Sequence, residues 1–155
     1  MQNRKRRKIC LVASAGGHMS QLLRLASAWE GYETVEITTT EHVRLSLERY
    51  GRVYVVGECN REHPLRVLQV AWRCLRAIWR ERPAVVISTG AAAGCLCCYW
   101  AKLFGAKVIW VDSIANTKKL SMSGRMVRPF AELILSQWPE VARRYPNVEY
   151  AGEVI

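Results

Sequence analysis

Short apolar runs alternate along the chain with longer segments whose apolar residues recur every three or four positions. Ile9-Cys10-Leu11-Val12-Ala13 is apolar throughout, which predicts a strand buried on both faces. It leads through Ser14-Ala15-Gly16-Gly17-His18 into a segment carrying Met19, Leu22, Leu23, Leu25, Ala26 and Trp29 at helical spacing. Glu33 to Thr38 alternates as a strand, and His42 to Tyr50 predicts a short helix closed by Gly51. Val53-Tyr54-Val55-Val56 is a further strand. Leu65 to Arg80 has the period of a long helix, with Pro64 suited to its first turn.

The second half repeats this order. Ala84 to Ile87 predicts a strand ending at Ser88-Thr89-Gly90, followed by an apolar helix from Ala91 to Phe104 that Gly105 caps. Lys107 to Val111 ends at Asp112-Ser113, and Leu133 to Leu135 ends at Ser136-Gln137. Val141 to Tyr145 is a helical turn and Val148 to Tyr150 a last strand. Uniformly apolar strands alternating with helices belong to a parallel sheet covered on both faces. The expected class is therefore α/β, an open doubly wound (Rossmann-like) parallel sheet with ligands at the carboxyl ends of its strands. A basic segment, 1–8, is expected to precede a single domain, 9–155.

Composition adds constraints. The chain has 155 residues, the size of one domain, and half of them are apolar, which excludes a disordered tail. No apolar stretch approaches the ~18 residues of a spanning helix, and none behind the N-terminal charges suits a secretion signal. The six cysteines are accordingly expected as reduced thiols. Lys and Arg number 23 against 13 acids, a net charge of +10 that implies a polyanionic partner. Charges cluster at Arg4, Lys5, Arg6, Arg7 and Lys8. A second group, Arg66, Gln69, Arg73, Arg76 and Arg80, forms one narrow helical stripe beside Leu-rich surface with Trp72 and Trp79. A wide apolar face with Trp and a basic seam suits an anionic membrane surface; a helix packed on the sheet and a partner is the plainer alternative. No nucleic-acid motif is present, so nucleic acid is not an expected partner.

The candidate chemistry gathers at the carboxyl edge. Ser14, Gly16 and Gly17, and again Ser88, Thr89 and Gly90, are small-residue turns running straight into helices, where free amides suit a phosphate. Neither turn is GxGxxG or GxxxxGK[ST], so nicotinamide and Walker-type nucleotide binding lose support, and a plain tight turn remains an alternative. His18 opens the first helix, where its ring could take a proton from a hydroxyl; a loop-capping role is the alternative. Asp112 could orient a hydroxyl or serve as a turn or cap residue, with Ser113 beside it. Cys95-x-x-Cys98, with Cys97 between them, lacks the further ligands of a zinc site and is read as core thiols, so no metal or cofactor is expected.

Taken together, Ser-Ala-Gly-Gly-His-Met-Ser-Gln (14–21), Ser-Thr-Gly-Ala-Ala (88–92), Asp-Ser-Ile-Ala-Asn (112–116), Leu-Ser-Met-Ser-Gly-Arg (120–125) and Gln-Trp-Pro-Glu (137–140) resemble, in the same order, bacterial polysaccharide-biosynthesis proteins of the PssD type. These are similar to the membrane-associated subunit of the split N-acetylglucosaminyltransferase of lipid-linked oligosaccharide synthesis. The resemblance runs from about Lys8 to Gly152. It implies the N-terminal, acceptor-side half of a GT-B, MurG-like glycosyltransferase. A separate donor-binding subunit would complete it, the donor being a nucleotide sugar and the acceptor a polyprenyl-diphosphate-linked saccharide. It also implies a peripheral place on the cytoplasmic face of the bacterial inner membrane. Gly16, Gly17 and His18 would line the interdomain cleft, with His18 as base. Relatives often carry Glu where this chain has Asp112, and the shorter side chain weakens a catalytic role there. A half-enzyme should expose partner-binding surface, expected at Gln137, Trp138 and Gly152 to Ile155. The alternative is a non-catalytic scaffold that anchors the catalytic subunit.

Overall fold

The computed structural model describes residues 7–154, so Arg4, Lys5, Arg6 and Ile155 lie outside the described residues. Seven strands form one sheet: β1 (Ile9–Val12), β2 (Thr34–Thr38), β3 (Arg52–Val55), β4 (Val85–Ser88), β5 (Lys107–Val111), β6 (Leu133–Ser136) and β7 (Val148–Tyr150). All pairings are parallel, in the order β3-β2-β1-β4-β5-β6-β7. The helices are α1 (Gly17–Arg24), α2 (Arg44–Leu47), α3 (Pro64–Glu81), α4 (Ala91–Leu103), α5 (Met122–Val127) and α6 (Pro139–Arg144). The expected open doubly wound Rossmann-like sheet is thus present.

The strand order decides where the helices lie. From β1 the chain steps outward to β3, α3 carries it back to β4, and it then steps the other way. Right-handed crossovers therefore put α1 and α2 on one face and the later helices on the other. Side chains that alternate along each strand supply both cores. Ile9, Leu11, Ala13 and Val53 pack with Met19, Leu22, Trp29 and Leu47. Cys10, Val12, Val86, Val108 and Ile134 pack with Val70, Cys74 and Ile78 of α3 and with Ala93, Cys97 and Ala101 of α4. Each fully buried Val, Leu or Ile contributes about 1.5–3 kcal/mol to this assembly.

Three elements depart from the sequence expectation. The first helix ends at Arg24, and Ala26–Trp29 follows as a 3₁₀ turn, which brings the chain back to β2 and buries Trp29. The expected helix over 42–50 is a 3₁₀ turn at Glu41–Val43 and one α turn at Arg44–Leu47. The helix α5 is additional; Ser121 caps it by accepting from the Gly124 amide at 2.9 Å. Lys8, grouped with the basic N-terminus in the sequence, is fastened into the fold. Its carbonyl accepts from Ala84, and its ammonium bonds buried Glu81 at 2.7 Å. Burial alone would raise the Glu81 carboxyl, but bonds from Lys8, Tyr54 and Arg52 outweigh it and hold it at about 2.

Candidate functional site

The parting of the two crossover directions lies between β1 and β4, whose carboxyl ends flank a crevice. Into it run the turns after β1 and β4. Gly16 takes φ 93° as the N-cap of α1, and added side-chain atoms at Gly16 or Gly17 would meet nothing within 4 Å. The first turn therefore leaves the amides at the start of α1 open to the crevice; α4 likewise has no side-chain cap, but the Gly90 amide ahead of it is bonded to Ser88 Oγ.

His18 bridges the two turns. Its Nδ1 lies 2.9 Å from the Thr89 carbonyl oxygen, and Thr89 Oγ1 donates to the His18 carbonyl at 2.6 Å. A carbonyl only accepts, so Nδ1 carries the hydrogen and, in the neutral ring, Nε2 carries the lone pair. Gly90 makes this fit possible. At φ 142° it adopts a backbone open to glycine, and a Cβ there would stand 2.6 Å from His18 Cε1. Ala91 begins α4 at φ 68°, a strained turn that sets the next helix against the crevice.

His18, Gly90, Asp112, Ser113, Asn116 and Ser121 share one pocket of about 270 Å³. The expected residues on the β1, β4 and β5 loops are thus brought together. Their side chains divide into two kinds. Ser88 and Thr89 are fully buried; Ser88 Oγ accepts from the Gly90 amide at 3.3 Å and Thr89 holds the His18 backbone. They shape the turn from beneath. Ser14 lines a neighbouring cleft, and Ser113 Oγ accepts from the Ala115 amide at 3.3 Å.

Asp112 is 2% exposed and its carboxylate is committed. Oδ1 accepts from Ser121 Oγ at 2.6 Å and from Trp110 Nε1 at 3.0 Å, and Oδ2 accepts from the Ser121 amide at 2.9 Å. Gly124 permits this cluster, because a Cβ there would stand 2.9 Å from Asp112 Oδ1 and 3.0 Å from Ser121 Oγ. Asp112 thus ties the end of β5 to the start of α5 and closes the 113–121 loop into a wall of the pocket. Sequence reading missed Ser121, Gly124 and Trp110 as parts of this site. The available signal was Ser121 itself, a residue type favoured as a helix N-cap.

Gln137 is buried, not presented to a partner. Its Nε2 donates to Gln21 at 2.8 Å and to the Asp112 carbonyl at 2.9 Å, and its Oε1 accepts from the Val154 amide at 2.8 Å. An amide with both ends satisfied by the protein is a clamp between α1, β5 and the segment containing Gly152. Trp138 is half-buried and donates to the Ile114 carbonyl at 2.7 Å.

The long basic helix keeps its apolar face in the open. Leu65, Leu68, Trp72 and Trp79 are 81%, 66%, 59% and 59% exposed. Arg66, Arg73, Arg76 and Arg80 run beside them; the last three line a cleft against Tyr54 at the edge strand β3. Leu103 and Phe104 of the neighbouring helix end extend the apolar surface, with Arg82 stacked on Phe104 and Trp79. No helix of the described residues is long and apolar enough to cross a membrane, and no group of three metal-ligating side chains occurs among them. Cys95, Cys97 and Cys98 are buried free thiols, and burial pushes Cys95 up to about 11.

Residues 32–154 match the family described as "Oligosaccharide biosynthesis protein Alg14 like". The UDP-N-acetylglucosamine transferase subunit ALG14 of Yarrowia lipolytica is 26% identical, the match covering 96% of this chain and 81% of that protein. The Homo sapiens subunit of the same name is 26% identical over 95% of this chain and 82% of its own. Among solved structures, Acinetobacter baumannii MurG superposes with a TM-score of 0.73 at 16% identity, covering 90% of this chain and 43% of that one. The UDP-N-acetylglucosamine 2-epimerase of Rickettsia bellii gives 0.70 at 10% identity, covering 94% and 44%. The chain thus spans less than half of those structures, and the likeness to them is one of fold: a Rossmann-like half of the GT-B architecture. The expected relation to a subunit of a split N-acetylglucosamine transferase is met by the curated relatives. With four-fifths of its length matched, this chain belongs to the Alg14-like family of oligosaccharide biosynthesis proteins.

Proposed function

We propose that this chain is the acceptor-side subunit of a two-component glycosyltransferase. It works with a donor-binding partner to move a sugar from a nucleotide diphosphosugar to a hydroxyl of a polyprenyl-diphosphate-linked saccharide. The observation that carries the reading is His18, clamped to the Thr89 carbonyl through Nδ1 at the mouth of a 270 Å³ pocket. Nε2 then takes the proton from the acceptor hydroxyl as its oxygen bonds to the anomeric carbon. The nucleoside diphosphate leaves with the electron pair of the broken C–O bond, inverting that centre. Asp112 is buried and accepts three hydrogen bonds from Trp110 and Ser121, so it acts as a positioning residue. The uncapped amides of the Gly16–His18 turn face the acceptor's polar part across the crevice, whereas the Gly90 amide is already taken by Ser88 Oγ. The partner supplies most donor contacts and meets the carboxyl edge near Trp138 and Gly152.

The α3 face attaches the subunit to an anionic membrane surface, with Trp72 and Trp79 in the interface and Arg73, Arg76 and Arg80 on headgroups. In a bacterial polysaccharide pathway, capsular or exopolysaccharide, that surface is the cytoplasmic leaflet of the inner membrane. The test is transfer by the assembled pair across a panel of nucleotide sugars. His18→Ala should lower turnover by roughly 100- to 10,000-fold, and His18→Gln should not restore it, because an amide cannot take the proton. Near-normal turnover in His18→Gln would refute the base and leave this chain as a membrane anchor for its partner.

A further inference from the structure

A second cleft, of about 350 Å³, opens at the carboxyl edge beside the His18 pocket, and Ala91 lines both. Its walls are the loop after β3 and the first turns of α3 and α4. On one side Glu58 accepts from Thr39 Oγ1, so that wall is acidic but engaged. On the other side stand His63 and Arg66, whose side chains have no hydrogen-bond or ion-pair partner among the described residues. The exposed apolar stripe of α3 begins at the same place, with Leu65 and then Leu68 on its outer side. Three chemistries therefore follow one another: an apolar surface, a guanidinium with an imidazole beside it, and the pocket that holds the His18 imidazole. A molecule apolar at one end, anionic in the middle and hydroxylated at the other matches that order.

We propose that His63 and Arg66 bind the diphosphate of the lipid-linked acceptor, with its prenyl chain leaving over Leu65 and Leu68 and its saccharide turned toward His18. This rests on the acceptor-side reading above and names the groups that would hold the acceptor's charge. A guanidinium offers a planar fork that matches two phosphate oxygens, and the imidazole donates one further N–H. Glu58 stands across the cleft, where saccharide hydroxyls rather than phosphate would lie.

The experiment is calorimetric titration of the chain with geranyl diphosphate and, separately, with inorganic pyrophosphate. The wild type should bind geranyl diphosphate more tightly than pyrophosphate, because only the former reaches Leu65 and Leu68. Arg66→Gln and His63→Gln should each weaken geranyl diphosphate about tenfold, the worth of a charge-assisted hydrogen bond. Lys107→Gln, exposed at the start of β5 on the opposite edge of the sheet, should change it less than twofold while circular dichroism shows all variants folded. No binding by the wild type, or equal losses in Arg66→Gln and Lys107→Gln, would overturn the site. The two readings separate in the transfer assay. Intact geranyl diphosphate binding without any turnover removes the reaction and keeps the site. His18-dependent turnover with an acceptor KM unmoved by Arg66→Gln keeps the reaction and removes the site.

Discussion

Glu36 lies in the middle of β2, between Leu11 of β1 and Val53 of β3, and is fully buried. Neither carboxylate oxygen has a hydrogen-bond partner, and the Thr34 hydroxyl on the same face is committed to the Tyr50 carbonyl at 2.7 Å. Burial raises its titration from 4.5 to about 7. A carboxyl that holds its proton more tightly in the folded chain makes the fold most stable in acid. Stability then falls as pH climbs from 4.5 and reaches its full penalty above 7. That interval corresponds to about 3 kcal/mol, a large part of the ~5–15 kcal/mol that holds an ordinary domain together. Glu36→Gln keeps the shape and removes the ionisation. Urea unfolding followed by tryptophan fluorescence should show parent and variant nearly equal at pH 4.5. At pH 8 the variant should be more stable by about 3 kcal/mol. The paired carboxylate Glu81 works in the opposite direction, losing its contribution as pH falls through its own low range, but it is present in both proteins and cancels in the difference. A stability difference that stays constant from pH 4.5 to 8 would refute the reasoning, since the slope requires the carboxyl to keep its proton in the folded chain over a range where the unfolded chain has lost it.

Other substitutions probe the site and its supports. Gly90→Ala should displace the His18 ring, which stands 2.6 Å from the new Cβ, and abolish transfer while the sheet remains folded; an active Gly90→Ala complex would contradict the clamp. Ser121→Ala removes both the α5 cap and a bond to Asp112, and should cost about 1–2 kcal/mol in thermal or urea unfolding. Asp112→Asn should destabilise by about 1–3 kcal/mol, because an amide cannot accept from the Ser121 amide, the Ser121 hydroxyl and the Trp110 indole together. Trp72→Ser with Trp79→Ser should reduce flotation with anionic vesicles, and equal flotation of the folded double variant would remove the membrane role from that face. Deleting residues 152–155 should weaken association with the partner subunit in a pull-down while leaving the domain folded.

The apolar runs and the glycine-punctuated turns were sufficient for the architecture. A strand such as Cys10-Leu11-Val12, apolar on both faces, has no stable place except inside a parallel sheet with helices on either side. The His18 turn and the α3 stripe were likewise legible, because each depends on neighbours within a few residues. What the sequence left open was everything set by strand order. Nothing in the residues from 14 to 18 says that they will lie against Thr89, seventy-one positions later; that follows from β1 and β4 pairing at the centre of the sheet. The same pairing turns Ser88 and Thr89 inward, so that residues read as ligand contacts become supports. Gln137 and Asp112 changed character for the same reason. Each is a polar side chain at a strand end, where sequence allows either a solvent-facing contact or an interior clamp. Burial without a partner costs more than burial with one; Gln137 finds Gln21 from the far end of the chain and Val154 from the segment after β7, and Asp112 finds Ser121 across the 113–121 loop beside its neighbour Trp110. Local pattern determined which elements form and which turns are open; long-range packing decided which polar groups face the crevice and which hold it in shape.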